Sequence, residues 1–303
     1  MSRRRVSGYE IEGLLGRGGM AEVFRARPLQ GPRAGREVAL KMLLPAAASD
    51  PEQLRLFRRE AILTSHLRHP HIVEIYDAGT SEDGPFIAME YVDGRNLRQI
   101  VARCAARAIP LPLDFAAYLA HVIAQALDHA HRATDPAGRP MSLVHCDVSP
   151  QNVFISRLGE VKLGDFGVAR AAGEGRGQAA FGKVRYLAPE QLRREEVGAQ
   201  TDVFALGALL FELLTNEPAF PGDEAADVAR RILAGERRAP SSLRPEVPFD
   251  LDELVLRALG PHDRLTSAGE FARLLEGRYD PTIGTDLAIA AVVRGLFGTE
   301  DAS

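Results

Sequence analysis

Residues 202–215, DVFALGALLFELLT, set the scale of the fold. Read at helical spacing, this run is apolar on nearly every side, so it has no face to give to water and must lie inside a large domain. Fully burying each of its Leu, Val and Phe side chains is worth roughly 1.5–3 kcal/mol. Leu113 to Ala133 reads as a second helix, with Phe115, Leu119, Val122, Ile123, Ala126 and Ala130 along one apolar stripe that by itself means core packing. With 303 residues, 46% of them apolar, the chain is long enough to bury this axis.

The first ninety residues have a different character. Val38–Met42 and Phe86–Tyr91 are short apolar runs bounded by Gly, Pro and Asp, as strands are. One helix interrupts them: Asp50 is a good N-cap, Pro51 suits the first turn, and Leu54, Phe57 and Ala61 then share a face. After the Asp93-Gly94 turn the pattern is mainly helical. The expected fold class is therefore α+β, with a strand-rich N-lobe and a helical C-lobe. The basic start through Arg5 reads as a solvated tail over residues 1–8. A helix is expected from Asp286 to Phe297, with Leu287, Ala290, Val293 and Phe297 on one stripe that docks on its own lobe or meets a regulatory partner.

Composition narrows the function classes. A formal charge of −4 offers no basic field for nucleic acid. Two cysteines, Cys104 and Cys146, are too few for a disulfide framework and fit a reducing compartment. The uncharged stretch Leu287–Val293 is too short to cross a bilayer, and no apolar region follows Met1, so no membrane contact and a cytoplasmic location are expected.

The chemistry lies in an ordered series of motifs. Leu15-Gly16-Arg17-Gly18-Gly19-Met20-Ala21-Glu22-Val23 puts glycines where a strand turns and where bare backbone can approach a triphosphate. Lys41 closes a VALK strand, and Glu60 lies in the helix after Asp50, where a carboxylate can hold a lysine toward phosphates. His145-Cys146-Asp147-Val148-Ser149-Pro150-Gln151-Asn152 sets an aspartate and an asparagine five positions apart, ahead of the apolar Val153-Phe154-Ile155. Asp165-Phe166-Gly167 and Ala188-Pro189-Glu190 follow.

In this order and spacing the sequence resembles the protein kinase superfamily, specifically bacterial eukaryotic-like serine/threonine kinases. GxGxxGxV is matched with Ala21 for its third glycine, VAIK stands as VALK, HRDLxxxN as HCDVSPQN, and DFG and APE are intact; Asp202, Gly207 and Arg264 extend the match. The resemblance implies a bilobal kinase domain over residues 9–277, with N-lobe 9–91, hinge 92–95 and C-lobe 96–277, and a C-terminal extension over 278–303. It implies ATP, magnesium (or manganese) and a protein substrate. By resemblance the backbone of Gly16 to Ala21 covers the phosphates, Lys41 reaches the alpha and beta groups, and Glu60 holds Lys41. Leu15, Val23, Ala39 and Phe154 would surround the adenine, with Met89 behind it and the backbone of Glu90 and Val92 at its edge. Asn152 and Asp165 would hold the metal, Asp147 would take the substrate proton, and Glu190 would pair with Arg264.

Two departures from the family pattern carry their own expectations. The arginine that precedes the catalytic aspartate in phosphate-switched kinases is Cys146 here, and Val168 to Arg185 contains no Ser, Thr or Tyr. A kinase that needs no phosphate on this loop is expected, with Tyr186 the remaining acceptor in the segment. The family's loop lysine is Ser149, and its GTxxY threonine is Lys183. Hydroxyl and ammonium have changed places, so Lys183, hydrogen-bonded by Ser149, is expected to bring the positive charge near the transferred phosphate. The rival readings are a small-molecule phosphotransferase of the aminoglycoside or choline type, against which DFG, APE and Arg264 argue, and an ATP-binding pseudokinase scaffold, against which the full set Lys41, Glu60, Asp147, Asn152 and Asp165 argues.

Overall fold

The computed structural model describes residues 4–166, 181–261 and 263–298. The chain divides into two compact units, Met1–Val92 and Asp93–Ser303.

The first unit is an antiparallel sheet of β1 (Arg5–Val6), β2 (Tyr9–Arg17), β3 (Ala21–Pro28), β4 (Val38–Leu43), β5 (Ile75–Ser81) and β6 (Gly84–Glu90), in the order β1-β2-β3-β4-β6-β5. Side chains alternate across a strand, so the register sorts them into two faces. Leu40 pairs with Ala88 and Met42 with Phe86, and these join Val6, Tyr9, Ala26 and Val38 in one apolar cluster. Lys41 pairs with Ile87 and Ala39 with Met89 on the opposite face. There Leu43 and Ile87 pack against Ala47 of α1 (Pro45–Ala48) and Phe57 and Ala61 of α2 (Pro51–Thr64). The Asp50 side chain caps α2, accepting from Glu52 N at 2.9 Å and Gln53 N at 3.4 Å.

The basic start is not a free tail throughout. Arg5 and Val6 pair with Glu10 and Tyr9, because Val6 has a core position to fill and is 1% exposed.

The second unit opens with β7 (Gly94–Asn96), which pairs with β8 (Val153–Ser156), itself paired with β9 (Val161–Leu163). Gly94 and Arg95, expected in a hinge, thus belong to a strand. A Cβ on Gly94 would lie 1.9 Å from Ile155 O, so the glycine is required by the close approach of β8. The helices are α3 (Leu97–Arg107), α4 (Leu113–His131), α5 (Phe181–Val184), α6 (Pro189–Arg193), α7 (Ala199–Thr215), α8 (Ala225–Ala234), α9 (Phe249–Ala258), α10 (Ala268–Leu275) and α11 (Asp286–Phe297).

Every residue of α7 from Thr201 to Phe211 is buried, as its all-round apolar sequence requires. It packs against α4, α9 and α10, and approaches α9 so closely that a Cβ on Gly207 would lie 2.6 Å from Ala258 Cβ. α11 docks on α3: Arg103 Nε donates to Leu296 O at 3.1 Å, and the Arg95 and Arg103 guanidiniums lie over the Phe297 ring. Ala290, Val293 and Phe297 are buried with Ile289 and Leu296, whereas Leu287, placed on the same stripe from sequence, is 77% exposed. Spacing alone did not fix the centre of the stripe, which lies one residue-row further round the helix. Among the described residues no helix is long and apolar enough to cross a membrane.

Candidate active site

In the first unit the glycine-rich segment is the β2–β3 hairpin. Gly18 N donates to Ala21 O at 2.8 Å, and Leu44 N to Met20 O at 2.8 Å, so the turn is tied both to itself and to the end of β4. Arg17 and Glu22, partners in register, form an ion pair at 2.9 Å across the hairpin. The Met20 side chain packs against the cluster of Leu43, Ala47, Phe57 and Ala61. Leu15 is 45% exposed. Val23 stands in register with Gly16 and Lys41, and Ala39 with Met89. Glu90 N already donates to Glu74 O at 2.8 Å.

Because Lys41 lies on the face of β4 that carries α2, its ammonium meets Glu60 there. Lys41 Nζ donates to Glu60 Oε1 at 2.7 Å, with the side chains 12% and 11% exposed. A pair this sheltered is fixed in direction, as a phosphate-reaching lysine must be.

In the second unit Asp202 organises the loop from His145 to Asn152 from inside α7. Its fully buried carboxylate accepts from His145 N at 2.7 Å, Cys146 N at 2.8 Å and His131 Nε2 at 2.8 Å. The loop passes through the left-handed region at Cys146, with φ 61°, and Gln191 Nε2 donates to Cys146 O at 3.0 Å. His145 is buried against Phe166, ring centroids 4.5 Å apart. Asp147 N donates to His145 Nδ1 at 3.2 Å, so the ring proton sits on Nε2 and is donated to Gly164 O at 3.1 Å. Burial pushes the His145 pKa below its ordinary value, against the pull of Asp202, Asp147 and Asp165, and keeps the ring neutral.

Asp147 is where the loop's polar contacts converge. Its Oδ2 accepts from Lys183 Nζ at 2.6 Å and from Asn152 Nδ2 at 3.1 Å, and its carbonyl accepts from the same Asn152 Nδ2 at 2.8 Å. Asn152 O accepts from Gly164 N at 2.8 Å, which ties β8 to the turn before Asp165. Asp165 follows with φ 52°, a left-handed backbone that a non-glycine residue adopts at a cost. The Asn152 amide nitrogen serves Asp147, and its amide oxygen accepts no hydrogen bond from the described residues. An amide oxygen and a carboxylate are both hard-oxygen donors of the kind magnesium or manganese takes. Phe154 lies on β8, partly buried.

Some expectations need correction. Ser149 does not hold Lys183: its hydroxyl is buried and has no hydrogen-bond partner among the described residues, because the ammonium is taken by Asp147. Tyr186 is no open phosphoacceptor, since its hydroxyl donates to Glu212, and burial beside that carboxylate raises its pKa. Residues 167–180, including Gly167 and most of the acceptor-free loop, lie outside the described residues. The expected Glu190–Arg264 pair is present at 2.8 Å, with Thr201 Oγ1 donating to the same Glu190 oxygen at 2.8 Å. Reading the sequence had marked Asp202 without its task and had missed Gln191 altogether. A lone aspartate opening an all-apolar helix was the available signal for the first; the second carries none.

A family profile described as protein kinase domain matches residues 9–268. The probable serine/threonine-protein kinase SCO3848 of Streptomyces coelicolor is 39% identical over 97% of this chain and 44% of its own length. The serine/threonine-protein kinase PknB of Mycobacterium leprae is 39% identical over 86% of this chain and 41% of its own. The tyrosine-protein kinase MasK of Myxococcus xanthus is 35% identical over 96% and 46%. The chain thus spans less than half the length of these relatives. The crystal structure of the Mycobacterium tuberculosis PknI kinase domain aligns at a TM-score of 0.69 with 30% identity, covering 91% of this chain and 98% of that one. The chain belongs to the protein kinase domain family.

Proposed function

We propose that this chain is an ATP-dependent protein kinase that moves the γ-phosphoryl group of ATP to a serine or threonine hydroxyl of a protein. The observation that carries the reading is the single frame formed by Asp147, Asn152 and Asp165. Asn152 bonds Asp147 through its amide nitrogen and Gly164, the residue before Asp165, through its carbonyl, and this supports reading Asp147 as the base and Asn152 and Asp165 as the metal ligands.

Phosphoryl transfer passes through a loose transition state, so positioning and charge neutralisation do most of the work. Asp147 orients the acceptor hydroxyl and takes its proton as that oxygen bonds to the γ-phosphorus and the bond to ADP breaks. Lys41, held by Glu60, meets the alpha and beta phosphates, and the β2–β3 hairpin backbone covers them. Leu15, Val23, Ala39 and Phe154 contact the adenine, Met89 lies behind it, and the Glu90 carbonyl and Val92 bond its edge. Asn152 and Asp165 would hold magnesium or manganese, which would supply positive charge to the phosphates.

The same reading includes activity without phosphate on the loop before Ala188. It is supported by Cys146, which puts a buried thiol where a phosphate-clamping arginine would stand, and by the engaged Tyr186 hydroxyl. The domain limits proposed are residues 9–277, with 278–303 as an extension.

The test is phosphate incorporation from radiolabelled ATP into a degenerate peptide library, with phosphoamino-acid analysis of the product. Phosphoserine or phosphothreonine, lost in Asp165→Ala and Lys41→Ala, is expected. Undiminished incorporation in both variants sinks the reading, and phosphotyrosine alone sinks the serine/threonine part. Phosphatase treatment should leave activity intact.

A further inference from the structure

Lys183 is 36 residues from Asp147 in sequence, and its ammonium lies 2.6 Å from Asp147 Oδ2, the side chains 21% and 12% exposed. Phosphoryl transfer gathers negative charge on the moving group, and a fixed cation beside it lowers the barrier. Asp147 marks the place: a base holds the attacking hydroxyl within about 3 Å, and the attacked phosphorus lies about 3–3.5 Å beyond. A cation touching Asp147 is one side-chain rotation from the transferred group.

The loop itself offers no cation there. Between Cys146 and Asn152 it carries no lysine or arginine, and His145 is kept neutral by burial. Ser149, two residues after the base, is 2% exposed with a hydroxyl that has no partner among the described residues, a buried polar group that asks for an explanation. Lys183 in turn is well anchored. Tyr186 N donates to Lys183 O at 3.2 Å, and the Tyr186 hydroxyl fastens this turn to α7 through Glu212.

We infer that Lys183 is a catalytic residue: its ammonium, held against Asp147 Oδ2, turns onto the oxygens of the transferring phosphoryl group and stabilises the charge that develops there. This rests on the kinase reading and deepens it. The acceptor oxygen bonds to the γ-phosphorus, the bond to ADP breaks with its electron pair left on the β-phosphate, and the acceptor proton passes to Asp147. Lys183 stays protonated throughout. The position two residues after the base carries the Ser149 hydroxyl and no charge, and the cation arrives from α5 in its stead.

The experiment compares the wild type with Lys183→Ala, Lys183→Arg, Lys183→Thr and the exchange Ser149→Lys/Lys183→Thr. It measures kcat on the peptide library, affinity for ADP, and affinity for ADP with aluminium fluoride, a planar anion that imitates the moving group. Lys183→Ala should lower kcat about 100-fold or more. It should leave ADP affinity within about twofold and weaken ADP with aluminium fluoride by about tenfold or more, as loss of a contact made only to the moving group requires. Lys183→Arg should keep more activity than Lys183→Ala, and the exchange should regain about tenfold over Lys183→Thr. If the exchange variant does not fold, Arg against Ala decides. A kcat in Lys183→Ala equal to or above the wild type overturns the inference alone, as does an equal loss of affinity for both probes. A wild type that transfers nothing overturns the kinase reading and this inference together.

Discussion

A sheltered lysine–carboxylate pair stands in each unit, and the two are nearly alike in length: Lys41–Glu60 at 2.7 Å and Lys183–Asp147 at 2.6 Å. What differs is the support. Lys41 stands mid-strand on β4 and Glu60 mid-helix on α2, so hydrogen-bonded ladders and a shared apolar cluster set both backbones. Asp147 sits in a loop and Lys183 on a single helical turn, and their placement depends on side chains reaching in from elsewhere: Asp202, Gln191 and Glu212. The first pair is a product of regular structure. The second is held by individual buried polar contacts, so it should fail differently.

The largest effect should come from Asp147→Asn. It removes the proposed proton acceptor and the partner of Lys183 at once, and should lower kcat by about 10²–10⁴, with KM for ATP little changed. Glu60→Gln should come next, losing about 10² in kcat/KM, because it frees Lys41, the lysine proposed to reach the phosphates. Here KM for ATP should rise. Steady-state kinetics at varied ATP checks both, and equal KM changes in the two variants would erase the distinction between a pair serving transfer and one serving nucleotide placement.

The difference in support also explains what could be read from the sequence. Asp50-Pro51 announced the start of α2, and the pairing of Lys41 with Glu60 came from the family pattern, which regular structure on both sides then realises. The all-apolar run gave α7 and with it the size of the second unit. The exchange of Ser149 and Lys183 was visible only against the family pattern, and its detail was misjudged: a hydroxyl acceptor was expected where the lysine took the stronger carboxylate partner. Val6 and Leu287 were placed wrongly because local pattern does not report which surface a neighbouring strand or helix will cover. Gln191 left no trace, since one amide bonding a distant carbonyl has no period and no spacing.

Asp202→Asn probes the individual contacts directly. It replaces an acceptor oxygen by an N–H donor opposite the backbone N–H of His145 or Cys146, and should cost about 1–3 kcal/mol of stability. Denaturant unfolding measures it. Because the loop that carries Asp147 hangs on this carboxylate, kcat should fall further than the lost folded fraction explains, while KM for ATP stays near the wild-type value. A variant that loses stability with unchanged kcat would show that the loop keeps its geometry without Asp202.

The smallest effect concerns His145, whose neutral ring accepts from Asp147 N and donates to Gly164 O. Burial holds its folded pKa below the ordinary 6.5, the carboxylates of Asp202, Asp147 and Asp165 opposing the shift. As pH falls through the unfolded value, the unfolded chain takes up a proton that the folded one resists, so the unfolded state binds more protons and stability declines. The contribution is complete above that pH and is lost progressively below it. Other histidines titrate in the same range, so the readout is a difference: the fall in unfolding midpoint between pH 7 and pH 5.5 should be shallower in His145→Phe than in the wild type, from a lower starting value. Equal slopes would mean that the ring charges without cost, and that the loop around Asp147 tolerates an imidazolium the packing against Phe166 should exclude.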